Sequence, residues 1–382
     1  MKTLLTAFII LTGQIVIGQS YDDQINKAAE ALQKKDFCNA LAIFKTAFED
    51  SAKIGTYDFA YAALAATQCN AEKLALTWLK KSQVKGLGMN PGEIDAISSD
   101  SGFVKLHRFA EWTVLIGNMK TVMVQKQALQ TQKTDAWMRM IDSNKLSKRE
   151  NKKFSNPKSG FALYHTKVDT LKIPYLVYVP QSYNASKPMQ AVVYLHGGIV
   201  STEGFNFDNP DLATGEPIFS VGDAFNSIII YPFGKKDFGW VAQKRAFENV
   251  LTIIDSVQQH YNIDKQRIFM GGMSNGGTAT FWFASQKPNR FKGFYAFSAL
   301  PKLEVGDINF RNLSQGKSFY TINSKEDDVF RYNDVLSIYK EHKIESKDWN
   351  FNTLEKGSHG FIYDSTTGKQ VIHDLFGKLL SK

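Results

Sequence analysis

Ile268-Phe269-Met270-Gly271-Gly272-Met273-Ser274-Asn275-Gly276-Gly277-Thr278 is an apolar run that breaks into glycines around a single serine. Ile268 to Gly271 reads as a short buried strand, and a helix is expected from about Thr278. Between them lies Gly272-x-Ser274-x-Gly276. A serine presented at a sharp strand-to-helix turn needs small neighbours, because the turn is tight and strained. Gly272 and Gly276 meet that need. The following helix would aim its positive N-terminal end near Ser274, where it favours developing negative charge. Ser274 is therefore the candidate nucleophile.

Working outward, the chain around this turn alternates strands and helices. Strands are expected over Phe161–Val168, Pro174–Val179, Ala191–Leu195, Ser227–Tyr231, Gly293–Ser298, Ser318–Asn323 and Trp349–Leu354. Several are nearly continuous apolar runs, as in strands buried on both faces. Helices are expected over Phe247–Tyr261, near Asn333–His342 and over Gln370–Leu380. The alternation implies an α/β class: a mostly parallel sheet with helices on both faces.

His196-Gly197-Gly198 follows the strand Ala191–Leu195 directly. The backbone N–H of Gly198, joined by that of Asn275, is the candidate oxyanion-binding pair. His196 itself is expected to be structural or substrate-contacting rather than the base. A serine hydroxyl needs a base, and His359 is the candidate: it lies in Gly357-Ser358-His359-Gly360, after the last strand and before the last helix. His373 falls inside the C-terminal helix and His342 precedes the last strand. An acid should orient the imidazole. The loop after Ser318–Asn323 reads Ser324-Lys325-Glu326-Asp327-Asp328, and its three acids are the candidates.

The remainder of the 382 residues divides by composition. Residues 1–18 read as a signal peptide: Lys2, then the mainly apolar stretch Leu4–Ile17, then Gly18 and Ser20, with cleavage after Gly18 or Ser20. That stretch is shorter than the about 20 residues of a membrane span. Residues 21–118 show apolar positions at helical spacing and form a small all-α domain. Residues 119–158 form a linker, helical over Thr121–Ile141 and then basic, with Lys145, Lys148, Arg149, Lys152, Lys153 and Lys158. Residues 159–382 are the α/β domain. The formal charge is +9, yet no nucleic-acid motif accompanies the basic run, which reads as a solvated linker. Cys38 and Cys69, each opening a Cys-Asn-Ala step, are the candidate disulfide of an exported protein.

Residues 161 to 382 resemble the secreted esterase branch of the α/β hydrolases that includes polyhydroxybutyrate depolymerase-like and feruloyl esterase-like enzymes. The resemblance is carried by YNIDKQRIFMGGMSNGGTATFWFASQKPNRFKGFYAFSA, with its Ile263-Asp264-x-x-Arg267 step before the turn and Pro288-x-x-Phe291 step after the helix. It implies the α/β-hydrolase fold, a Ser-acid-His order and an acid register that puts Asp327 first, Asp328 second and Glu326 third. It also implies that Trp240, in Phe238-Gly239-Trp240, lines the cleft. Relatives often carry a cysteine where this chain has Gly198, so a polyester substrate does not carry over. Residues 74–112 resemble the last unit of tetratricopeptide-like domains of secreted hydrolases, through LTWLKKSQVKGLG followed by Asp100, Phe103, Leu106 and Trp112. The resemblance implies a helical domain that packs on the hydrolase domain or binds a protein.

The expected function is a secreted or periplasmic serine carboxylesterase acting on small esters or on acyl or feruloyl esters of polysaccharides. A serine peptidase of the same fold and a non-catalytic binding protein are the alternatives. No metal or cofactor motif is present: the sequence has no His-Glu-x-x-His, no Cys-x-x-Cys and no phosphate-binding glycine loop beyond the glycines of the turn.

Overall fold

A computed structural model describes residues 19–49, 53–148 and 154–381. The expected leader, residues 1–18, lies outside them, as do residues 149–153 of the basic stretch. The chain divides into two units, residues 1–132 and 133–382.

Unit 1 is helical: α1 (Gln19–Gln33), α2 (Phe37–Ala47), α3 (Thr56–Gln68), α4 (Glu72–Val84), α5 (Glu93–Ser99) and the first part of α6 (Ala110–Ser143). Successive helices α1 to α4 pack on one another. Helix α3 buries Ala60, Ala62, Ala63, Ala65 and Ala66. A helix apolar nearly all round belongs in an interior, and its small side chains let neighbouring helices approach closely. Phe44, Trp78 and Leu106 fill the spaces left. Cys38 on α2 is disulfide-bonded to Cys69, the C-cap of α3, with Cα atoms 5.4 Å apart. Closing a loop of this length stabilises the fold by about 3–4 kcal/mol in the chain-entropy account.

The long helix α6 contributes to both cores. Trp112, Leu115 and Met119 belong to the core of unit 1, whereas Trp137 and Ile141 belong to a core of unit 2. The sequence reading starts this helix at Thr121. The true start at Ala110 was masked because a 3-10 stretch, Ser101–Arg108, runs almost into it and blurs the period. Residues 137–146 are more than a linker: the Trp137 indole donates to the Phe207 carbonyl at 2.8 Å, and the Asn144 carboxamide donates to the Phe161 carbonyl at 2.9 Å.

Unit 2 is built on an eight-stranded sheet in the order β1-β2-β4-β3-β5-β6-β7-β8. The strands are β1 (Gly160–Val168), β2 (Leu171–Val179), β3 (Met189–Leu195), β4 (Ile228–Pro232), β5 (Ile263–Met273), β6 (Gly293–Phe297), β7 (Phe319–Ser324) and β8 (Trp349–Leu354). Pairing is antiparallel for β1–β2 and β2–β4 and parallel from β4 through β8. Every residue of β4 and β6 is buried, as their unbroken apolar runs require. The helices are α7 (Pro210–Gly215), α8 (Phe219–Ala224), α9 (Lys244–His260), α10 (Asn275–Gln286), α11 (Tyr332–His342) and α12 (Thr367–Leu380). Two apolar layers flank the sheet. One holds Phe247, Ile253 and Phe281 of α9 and α10; the other holds Phe219 of α8 and Ile372 and Phe376 of α12. The expected mostly parallel sheet with helices on both faces is therefore the one observed. Strand β5 begins at Ile263 rather than Ile268: Ile263 pairs with Met189, and the polar stretch Asp264 to Arg267 that follows falls in the register shift before Ile268 pairs with Ala191. Among the described residues no helix is long and apolar enough to cross a membrane.

Candidate active site

Ser274 sits between β5 and α10 with φ 54° and ψ −120°. A non-glycine residue at this φ is strained, and the surroundings hold it there. Its N–H donates to the Phe297 carbonyl on β6 at 2.9 Å, and its own carbonyl accepts from the Thr278 N–H at 2.8 Å. The flanking glycines are required by close approach. A Cβ at Gly272 would lie 2.3 Å from the Leu195 carbonyl oxygen, and one at Gly276 only 1.8 Å from it. The turn is thus pressed against the end of β3.

The His359 imidazole reaches this serine from the loop after β8. Its Nε2 lies 2.8 Å from Ser274 Oγ, and its Nδ1 lies 2.9 Å from each carboxylate oxygen of Asp327. An ionised carboxylate only accepts, so Nδ1 carries the proton and Nε2 offers its lone pair to the serine hydroxyl. The Asp327 side chain is fully buried. Its Oδ1 also accepts from the Val329 and Phe330 N–H groups at 2.9 and 2.8 Å, which fixes the carboxylate plane. Of the three acids weighed in this loop, Asp327 faces the imidazole. Asp328 is exposed, and Glu326 accepts from the Gly357 N–H at 2.9 Å, bracing the histidine loop instead.

Sequence reasoning missed Ser298, the residue after β6. It is fully buried with φ 45°, and its hydroxyl donates to the His359 carbonyl at 2.6 Å. The only signal in the sequence is a serine at the end of an apolar strand, which is too common to single out.

On the other side of the serine, the His196-Gly197-Gly198 loop packs directly on the turn: a Cβ on Gly197 would lie 2.9 Å from Ser274 Cβ. Gly198 follows with φ 72°, and Asn275, the other expected oxyanion residue, is the first residue of α10. His196 is buried and stacked on Tyr231, with ring centroids 5.6 Å apart. Its Nε2 accepts from the Gly234 N–H at 3.0 Å, leaving Nδ1 to donate to the Gly197 carbonyl at 2.7 Å. Burial holds its pKa down at about 4, so the ring is neutral and shapes the loop. Trp240, expected to line the cleft, is instead a core residue, 2% exposed, whose indole donates to the His196 carbonyl at 3.1 Å. Its hydrogen bond is satisfied inside, which removes the reason for an indole to stay at a surface.

Residues 241–304, which include β5, the Ser274 turn and β6, match the prolyl oligopeptidase family. Unit 2 has the α/β-hydrolase fold. Over 178 residues the chain is 23% identical to a bifunctional acetylxylan esterase/xylanase of Neocallimastix patriciarum. That match spans 44% of this chain but 23% of the relative's length. Among solved structures, the chain is similar to a thermostable esterase (20% identical, TM-score 0.47, covering 57% of this chain and 62% of that one). It is also similar to an S-formylglutathione hydrolase of Staphylococcus aureus (18% identical, TM-score 0.46, covering 59% and 100%). The family model and the curated relative that the chain matches are hydrolases of the peptidase and esterase kind. Among the described residues no cluster of three or more His, Cys, Asp or Glu is placed to hold a metal ion.

Proposed function

We propose that the chain is a secreted serine carboxylesterase. The observation that carries this reading is the unbroken hydrogen-bonded line from Asp327 through His359 to Ser274 Oγ. His359 Nε2 takes the hydroxyl proton as Oγ attacks the ester carbonyl carbon. The carbonyl electrons move onto oxygen, and the Gly198 and Asn275 N–H groups stabilise that oxyanion. The imidazolium, steadied by Asp327, then protonates the leaving alcohol, and the acyl group remains on Ser274. Water repeats the cycle with His359 as base, releasing the acid and the free serine.

The substrate class proposed is a small ester or an acyl or feruloyl ester on polysaccharide. The acetylxylan esterase named among the relatives supports it. Export is supported by the apolar stretch near the N-terminus and by the Cys38–Cys69 bridge, since such bridges persist in oxidising compartments. For unit 1 we propose a packing or protein-binding role apart from the chemistry. A peptidase of the same fold is the second reading, favoured by the prolyl oligopeptidase match.

The test is a rate screen on short p-nitrophenyl esters, acetylated xylan, methyl ferulate and peptide anilides, with Ser274→Ala alongside. Ester turnover that falls by several orders of magnitude in Ser274→Ala, with circular dichroism unchanged, is expected. Turnover above about a tenth of wild type in that variant would assign another nucleophile, because loss of a triad serine costs far more. Faster cleavage of anilides than of esters would favour the peptidase.

A further inference from the structure

The segment between β3 and α8 helps enclose a cavity of about 170 Å³. One wall is Gly197, whose backbone also abuts Ser274. Another is Glu216. This carboxylate is held by two phenols: Tyr231 donates to Oε1 at 3.0 Å, and Tyr363 donates to Oε2 at 3.2 Å and lies 3.4 Å from Oε1. Tyr363 belongs to the same short segment as His359, so Glu216 is tied to the histidine loop as well as to β4. Burial pushes the Glu216 carboxyl up from the usual carboxylate range, and the phenol bonds oppose that shift. Among the described residues none of the ion pairs involves Glu216. The proposed mechanism does not use it.

A carboxylate has about four acceptor positions; Tyr231 and Tyr363 occupy some of them and the buried Tyr194 phenol also interacts with the carboxylate, which leaves room for a further donor. The same cavity is lined by Asn206 and Thr202, with Leu212 and Phe233 among its apolar residues. Such a wall presents both acceptors and donors. An ammonium group donates only, whereas a hydroxyl donates and accepts, so a hydroxyl satisfies the wall more completely. A site built to pair a hydroxyl also rejects the analogue that lacks it, because its buried polar groups are left unpaired.

We propose that Glu216 is a specificity-determining residue that reads a hydroxyl group of the ester substrate, so that hydroxylated esters are preferred to their deoxy counterparts. This rests on the carboxylesterase reading above. The hydroxyl belongs to the acyl group or to the alcohol, and matched substrates separate the two.

The experiment measures kcat/KM for the full chain, Glu216→Leu and Glu216→Gln on two pairs. Ethyl 3-hydroxybutyrate against ethyl butyrate tests the acyl side; glycerol monoacetate against propyl acetate tests the alcohol side. The hydroxylated-to-deoxy ratio is expected to fall at least tenfold in Glu216→Leu in one pair, and that pair names the side. Glu216→Gln keeps the volume and an acceptor for the tyrosines, so it should fold where the leucine variant does not, with a smaller fall of the same ratio. An unchanged ratio in both pairs and in every folded variant overturns the proposal while leaving the esterase intact. A Glu216-dependent preference for glycine ethyl ester over ethyl propionate overturns it in favour of an ammonium site. Wild-type protein that cleaves none of these esters, or cleaves them equally well as Ser274→Ala, overturns the carboxylesterase reading and this proposal with it.

Discussion

The hydroxyl of Ser298 donates a 2.6 Å hydrogen bond to the backbone carbonyl of His359. It is the link by which the end of β6, which also receives the Ser274 N–H through Phe297, sets the height of the imidazole above the serine. A buried hydrogen bond of this kind contributes on the order of 1 kcal/mol. Ser298→Ala and Ser298→Gly should each lower kcat by about three- to tenfold, the range that follows from about 1 kcal/mol, with little change in KM. Glycine relaxes the positive φ of this position but also lacks the hydroxyl. Recovery of full turnover in the glycine variant would assign the effect to backbone strain, not to the histidine loop.

Asp327 and Asp328 are adjacent, and their replacements should behave very differently. Asp327→Asn can still accept from the Val329 and Phe330 amides through its carbonyl oxygen, leaving an amide N–H group toward His359 Nδ1. That geometry selects the wrong tautomer, for which a loss of about 10⁴ in turnover is known. Asp328→Asn alters only an exposed charge, which solvent screens. Steady-state kinetics of the pair decide it: equal and small losses would remove Asp327 from the orienting role.

Trp137 ties the end of α6 to unit 2, with its indole bonded to Phe207 and its ring at 5.1 Å from Phe161. Trp137→Ala should destabilise unit 2 by about 3–5 kcal/mol, the usual cost of deleting a buried tryptophan side chain. Urea unfolding followed by circular dichroism, and by the proposed esterase activity, measures this. By the same reasoning, a chain shortened to begin at Lys133 should retain activity, and one shortened to begin at Ser155 should be markedly less stable. Equal midpoints for the two shortened chains would show that residues 133–154 add nothing.

His196 gives unit 2 an acid-sensitive edge. In the folded protein its pKa is held at about 4 by burial, while in the unfolded chain it returns to about 6.5. Between those values the unfolded chain binds a proton that the folded chain refuses. The stability present above about pH 6.5 is therefore lost as the pH falls toward 4. His196→Gln keeps an acceptor for the Gly234 N–H and does not titrate. Its Tm should be lower at pH 7 but should decline less steeply between pH 6.5 and 4.5 than that of the wild type. Parallel Tm profiles would mean that other groups set the acid limb.

Much of this architecture could be read from residue order because the constraints involved are local. Gly272 and Gly276 announce the Ser274 turn, since nothing larger fits against Leu195. The strands of the parallel sheet announce themselves as apolar runs. Choosing among Glu326, Asp327 and Asp328 needed the loop's own turn, in which Asp327 caps the Val329 and Phe330 amides. Helices α7 and α8 are too short to show a period. The resemblance places Trp240 in the cleft, and nothing in its sequence neighbours reveals that its indole is satisfied by the His196 carbonyl, 44 residues away. Glu216 and Tyr363 are 147 residues apart, so only the folded chain brings them together.

The close approach of Gly272 and Gly276 to the Leu195 carbonyl makes Ser274 part of the sheet's own framework. The connections after β3 and after β8 carry Gly198 and His359 as well as Glu216 and Tyr363. Under the proposed reading, the part of unit 2 that can vary without moving those groups is the stretch between Thr202 and Glu216. Grafting or lengthening it should change ester preference while leaving the hydrogen-bonded line at Ser274 in place. Any comparable edit at the turn itself would have to be accommodated by the strand beneath it.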